Sequence, residues 1–210
     1  MTAEDSSIEA LGALADPVRR ALYRHVAAAP QEVGRDAAAE AAGVSRSLAA
    51  FHLDKLVDAG LLTASYRRPA GRGGPGAGRP AKFYRRADTE IAVTLPPRAY
   101  GAVGRLLAEV VERAGLDREL QAAARTEGEA GECASDDLPD ALRERGYAPF
   151  LDGEVLRLGN CPFHALADEF PALVCGMNLA LLEGLAGDGW TPAMDPCAGG
   201  CCVSLSRSQL

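Results

Sequence analysis

The chain has 210 residues, enough for two modest domains that each bury a core, and its 48% hydrophobic content argues against wholesale disorder. No apolar run reaches the roughly 18 to 20 residues needed to cross a bilayer, and Met1-Thr2-Ala3-Glu4-Asp5-Ser6 lacks the basic and apolar regions of a secretory signal; a cytoplasmic location with no membrane partner is expected. The net charge of −7 would discourage a nucleic-acid partner if it were evenly spread, but residues 1–95 carry 13 basic against 11 acidic side chains and residues 96–210 carry 9 against 18.

Asp16-Pro17 is a helix-start signal, an N-cap carboxylate followed by proline at the first helical position. Val18, Leu22 and Val26 then recur at helical spacing up to Ala29-Pro30, and Ile8, Leu11 and Leu14 form a shorter helix upstream. A further helix is expected from about Arg35 to Ala42, stopped by Gly43, with Val44 plugging the core and Ser45 capping the next helix. That next helix, Ser45 to Ala59, places Leu48, Ala49, His52, Leu53 and Leu56 on one side and Arg46, Ser47, Ala50, Phe51 and Asp54 on the other. Arg46 and Ser47 in its first turn are placed to read base edges and Lys55 to meet a phosphate, while Phe51 is placed either to touch a thymine methyl or to pack on the wing. His52, among apolar neighbours, reads as a buried, hydrogen-bonded histidine.

Gly60 closes that helix, and Leu61 to Tyr66 reads as a strand leading to Arg67-Arg68. After the glycine-rich Ala70 to Arg79, which contains Arg72, Lys82 to Arg86 returns as its partner. Residues 45–86 hold nine basic side chains against Asp54 and Asp58. Arg67, Arg68, Arg72, Arg79 and Lys82 thus make a basic wing suited to tracking a DNA backbone or reaching into a minor groove. The segments Leu14-Ala15-Asp16-Pro17-Val18-Arg19-Arg20, Val44-Ser45-Arg46-Ser47-Leu48, His52-Leu53-Asp54-Lys55-Leu56 and Gly78-Arg79-Pro80-Ala81-Lys82-Phe83-Tyr84 resemble the ArsR-type winged-helix repressors over residues 8–88. Metal-sensing members of that superfamily carry thiolates near the recognition helix. This chain has no cysteine before Cys133, so any sensing chemistry belongs in the second half.

In that half, Pro96-Pro97 is expected to open a long helix whose Val103, Leu106, Leu107, Val110 and Val111 pair with a second copy as a homodimer. Residues 117–125 read as another helix, and Thr126 to Asp137 as an acidic linker holding an incidental Cys133. Leu138 to Arg145 is a short helix stopped by Gly146; Tyr147 to Leu151 and Glu154 to Leu158 are a hairpin turning at Asp152-Gly153. The second strand delivers Cys161, and a break at Phe170-Pro171 reverses the chain so that Cys175 returns beside it, with Gly176 leaving room for close approach. If the last strand, Cys202 to Leu205, completes a three-stranded antiparallel sheet, Cys201 enters beside Cys161.

Three thiolates would then converge, with Cys197, Cys202 or His164 as a fourth ligand for tetrahedral zinc or an iron-sulfur cluster. Six cysteines in a reducing compartment do not suggest a disulfide framework, although Cys161 and Cys175 could also be small core residues without a ligand. Asn160-Cys161, Val174-Cys175-Gly176 and Cys201 resemble the C-terminal domain of the repressors of iron-sulfur-cluster biogenesis, which join an ArsR-type winged helix to a domain ligating a [4Fe-4S] cluster. The chain departs from them near Asp188, where their further cysteine has no match, so Cys197 or Cys202 would substitute. The expected architecture is mainly α with small β (α+β). A winged helix-turn-helix spans 1–95, dimerisation helices and a linker 96–137, and a cysteine-rich effector domain 138–210. The function this implies is a DNA-binding regulator, a repressor, of a double-stranded operator. A regulator with structural zinc and a small-molecule-binding second domain is the alternative; a thiolate enzyme is disfavoured because no general base beyond His164 is evident.

Overall fold

A computed structural model describes residues 3–67, 80–131, 137–197 and 199–208. Contacts divide the chain into two units, Met1–Pro97 and Arg98–Leu210.

The first unit runs α1 (Ala3–Ala13), α2 (Pro17–Ala28), β1 (Val33–Gly34), α3 (Arg35–Ala41), α4 (Arg46–Asp58), β2 (Leu62–Arg67) and β3 (Ala81–Arg86). The caps act as their residues dictate. Asp16 accepts from the Arg19 N–H at 2.9 Å to start α2, and Ser45 accepts from the Leu48 N–H at 3.3 Å to start α4. Gly43 and Gly60 take positive φ, 64° and 72°, where α3 and α4 end. The strands form an antiparallel sheet in the order β1-β3-β2, with Val33 opposite Tyr84 and Leu62 opposite Arg86. The two-residue β1 carries too little periodicity to be read from sequence. Leu22, Val26, Ala38, Ala49, Leu53, Leu56, Leu62 and Tyr84 form the core. Leu48, expected inside, is 41% exposed: the buried arc of α4 is the narrower set Ala49, His52, Leu53 and Leu56. His52 is buried as expected, but its Nδ1 has no hydrogen-bond partner among the described residues.

The second unit runs α5 (Tyr100–Ala114), α6 (Asp117–Ala130), α7 (Leu138–Glu144), β4 (Pro149–Asp152), β5 (Val155–Leu158), α8 (His164–Glu169), α9 (Pro171–Ala186), β6 (Trp190–Met194) and β7 (Val203–Arg207). Pro96-Pro97 precedes the helix rather than opening it; its first hydrogen bond runs from the Val103 N–H to the Ala99 carbonyl. The stretch from Thr126, expected as linker, is helical to Ala130, because Gly128 meets Gly184 of α9 where the two helices cross. A Cβ at Gly128 would lie 2.2 Å from the Leu181 carbonyl oxygen, and one at Gly184 2.2 Å from that of Arg125. This close approach buries backbone against backbone, and packing overrides the acidic composition. Helix α9 also packs on the sheet and is buried nearly all round, through Leu173, Val174, Ala180, Leu182 and Leu185.

The sheet has four strands, not three, in the antiparallel order β4-β5-β7-β6. The missed strand, β6, contains Pro192 opposite Leu205; a proline is tolerated there because β6 is an edge. The hairpin loop is Gly153-Glu154, one residue later than expected, since Asp152 pairs with Val155 and Gly153 takes φ 63°.

Candidate DNA-binding face and thiol cluster

Helix α4 presents Ser45, Arg46, Ser47, Leu48, Phe51 and Lys55 to solvent, with Ala50 half-buried between them. Phe51 is 57% exposed, so with Leu48 it gives the face an apolar patch between Arg46 and Lys55. Arg46 pairs with Asp36 at 2.8 Å and Lys55 with Asp58 at 3.6 Å. Exposed pairs of this kind hold the side chains loosely and exchange readily for phosphate. Arg67 lies beside Glu32 at 2.5 Å and over the Phe83 ring at 5.9 Å. Arg68, Arg72 and Arg79 lie outside the described residues.

Lys82, expected on the DNA backbone, instead turns its ammonium onto Asp54 of α4 at 2.6 Å, leaving its side chain only 12% exposed. Tyr84 donates to the same Asp54 oxygen at 2.8 Å, and Arg35 of α3 donates to the Tyr84 hydroxyl at 3.2 Å. Burial alone would raise the Asp54 pKa, but the hydrogen bonds from Lys82 and Tyr84 hold it below the ordinary carboxylate range. Asp54 is therefore no base-facing residue. It is the knot that fixes the recognition helix to the wing strand and to α3. The sequence reading missed this network, although an acid on α4 and a lysine and tyrosine on the returning strand were all in view.

In the second unit the loop after β5 carries Cys161, the second turn of α9 carries Cys175, and the entry to β7 carries Cys201 and Cys202. The Cys201 N–H donates to the Leu158 carbonyl at 2.8 Å, which seats β7 beside the exit of β5. Cys161 lies beside Cys201, and Cys175 beside Cys202, near enough for each pair to shift the other's titration. Cys197, Cys161, Cys175, Cys201 and Cys202 are all free thiols. Cys197 belongs to neither pair; its Sγ turns back to the Cys201 carbonyl at 3.7 Å, across Gly200, where a Cβ would lie 2.7 Å from that sulfur. His164 is exposed, with Nδ1 3.6 Å from Asp168. Of the three residues considered for a fourth ligand, Cys202 is the one paired with another cysteine. The space at Gly176 is taken by Gln121 of α6, whose Nε2 would lie 2.9 Å from a Cβ there, and not by Cys161.

The pairing polarises the thiols. The neighbouring Cys201, with the Phe163 N–H and the His164 charge, draws the Cys161 pKa down to about 7 against the opposing effect of burial. Cys201 is pushed up by Cys161 and by its burial, and burial followed by Cys202 pushes Cys175 up to about 12. Behind the cluster, Asn178 of α9, 1% exposed, donates its Nδ2–H to the Cys201 sulfur at 3.2 Å and accepts from the Tyr147 hydroxyl. A lone asparagine three residues after Cys175, in a helix otherwise apolar but for Glu183, was the signal that could have found it. Among the described residues, no three of His, Cys, Asp and Glu are grouped so as to hold a metal ion.

Residues 14–63 match the family model described as a helix-turn-helix domain. The first unit carries an ArsR-like helix-turn-helix domain. This helix-turn-helix domain points to a DNA-binding protein rather than an enzyme and suggests transcription regulation. No curated protein and no solved structure matches the chain. Among the described residues no helix is long and apolar enough to cross a membrane.

Proposed function

We propose that this protein is a homodimeric transcriptional repressor whose paired cysteines bind an iron-sulfur cluster that sets its affinity for a double-stranded operator. The observation that carries the reading is the placement of Cys161 beside Cys201 and of Cys175 beside Cys202, free thiols from three segments of a chain that also carries an ArsR-like helix-turn-helix domain. Four cysteine thiolates suit either tetrahedral zinc or a cluster held around its periphery by cysteines on separate irons. An all-cysteine donor set without a histidine in it is compatible with the cluster. The resemblance to repressors of iron-sulfur-cluster biogenesis supports the same choice, with Cys202 standing in for their unmatched cysteine. The cluster would supply a redox-labile charge; the chain's own part is to hold the Cys161 thiolate, direct the Asn178 N–H at Cys201 and exclude water with Tyr147.

Dimerisation rests on α5, where Tyr100, Val103, Leu106, Leu107 and Val110 are each more than half exposed along one helix face. An apolar stripe of that length is costly in water and is covered in a dimer. A dimer packed there sets two recognition helices against half-sites about 34 Å apart.

The test is anaerobic purification of the full chain, with absorption spectra and iron, sulfide and zinc analysis. About four iron and four sulfide per protomer are expected, lost in Cys202→Ser and retained in Cys197→Ser. One zinc per protomer, without iron, would replace this reading with structural zinc.

A further inference from the structure

A groove of about 970 Å³ opens at the opposite end of β7 from the cysteines. From Cys201 to Arg207 the chain advances roughly 20 Å at about 3.3 Å per residue, so the groove is separate from the thiol cluster. Its size is at the upper end of the roughly 300 to 1,000 Å³ typical of small-molecule sites.

The charge of the lining runs against its surroundings. Residues 98–210 hold nine arginines against eighteen acids, yet the groove is lined by two arginines, Arg143 and Arg207, and one acid, Glu154. Arg207 lies over the Trp190 ring at 4.4 Å, and Arg143 is paired with Asp140 on α7 in an exposed ion pair that an anionic ligand can displace. Trp190, 4% exposed, and Leu156, 3% exposed, also belong to the apolar core, and Phe150 supplies an apolar wall. Apolar lining beside two guanidinium groups suits a ligand with one anionic head and one greasy body. A carboxylate meets a guanidinium through two parallel hydrogen bonds, and a hydrocarbon body covers aromatic and aliphatic lining.

We propose that this groove binds a small amphiphilic carboxylate, recognised by Arg143 and Arg207 over the Trp190–Leu156 lining. The proposal goes beyond the regulator reading and does not depend on the thiol cluster, so either can fail without the other.

Trp190 is the chain's single tryptophan, so the emission of the full-length protein reports on this groove directly. Octanoate, octylamine and inorganic phosphate are titrated against it. Octanoate is expected to change the emission saturably, and the other two to be at least tenfold weaker. Arg143→Gln, distant enough to leave the indole's own guanidinium contact in place, should weaken octanoate at least tenfold, Glu154→Gln should tighten it, and Arg118→Gln on α6 should leave it unchanged. A non-saturating response to octanoate, an equal response to octylamine, or octanoate affinity unaltered in both Arg143→Gln and Glu154→Gln would overturn the proposal.

Discussion

The recognition helix and the cysteine cluster carry the two halves of the proposed function, and they are assembled in opposite ways. Helix α4 takes its exposed side chains from one contiguous run, Ser45 to Lys55, so its chemistry follows from helical periodicity. The cluster takes Cys161, Cys175 and the Cys201–Cys202 pair from a loop, a helix and a strand entry, so its chemistry exists only after the fold has closed. A local site is robust and tunable by single contacts; a site made from distant segments stands or falls with the packing that gathers it.

The comparison is broken most severely at the thiols. Cys161→Ser, Cys175→Ser, Cys201→Ser and Cys202→Ser should each reduce bound iron to less than about a tenth, because a cluster needs every one of its ligands and metal binding is folding energy for such a domain. Cys197→Ser should retain iron, which elemental analysis of the five variants would show. Next comes the crossing of α6 and α9. Gly128→Ala or Gly184→Ala drives a methyl to within about 2.2 Å of a carbonyl oxygen, and overpacking of that kind costs roughly 1 to 3 kcal/mol or more. Thermal unfolding should show the loss, with the recognition helix left intact.

On the DNA side the effects are smaller and more selective. Arg46→Ala should cost about 1 to 3 kcal/mol, mainly on the cognate sequence; an equal loss on random duplex would reassign it to a phosphate. Replacing Arg72 and Arg79 with Ala should weaken cognate and random duplex alike and flatten the salt dependence, because arginines in a glycine-rich sequence supply affinity without base geometry.

The smallest effect sharpens the local side of the contrast. Tyr84→Phe removes one hydrogen bond to Asp54, for about 1 kcal/mol. Asp54 has a pKa lowered from its ordinary 3.8, so its contribution is present above that value and is lost as pH falls through the lower folded one. The stability difference between wild type and Asp54→Asn should therefore be constant near neutrality and shrink below about pH 4, as thermal melts at each pH would show.

What was legible followed the same divide. The caps at Asp16 and Ser45, the glycine stops at Gly43 and Gly60, and the exposed Arg46, Ser47 and Phe51 were readable because each depends on residues within a turn or two. The helix break at Pro171 and the seating of Cys201 beside the exit of β5 were readable, because a proline lacks an N–H and β7 pairs with β5. The placement of Cys202 beside Cys175 was not, since it depends on how a glycine-rich turn places adjacent residues. The wing lysine was misread for a related reason: Lys82 has the charge of a phosphate ligand, but only the register of β3 against α4 brings it to Asp54. Helix α6 was cut short because its acidic composition hid Gly128, whose partner, Gly184, lies 56 residues away in a helix of its own.

The central claim is that the state of the thiol site changes what the recognition helix does. The direct measurement is the affinity of full-length protein, cluster-loaded and cluster-free, for a duplex it selects from random sequence, at one fixed salt concentration. Coupling between two sites in one protein amounts to roughly 5- to 150-fold, and a difference in that range between the two forms is expected, abolished in Cys161→Ser. Equal affinity of the loaded and free forms would make the site structural and contradict the account.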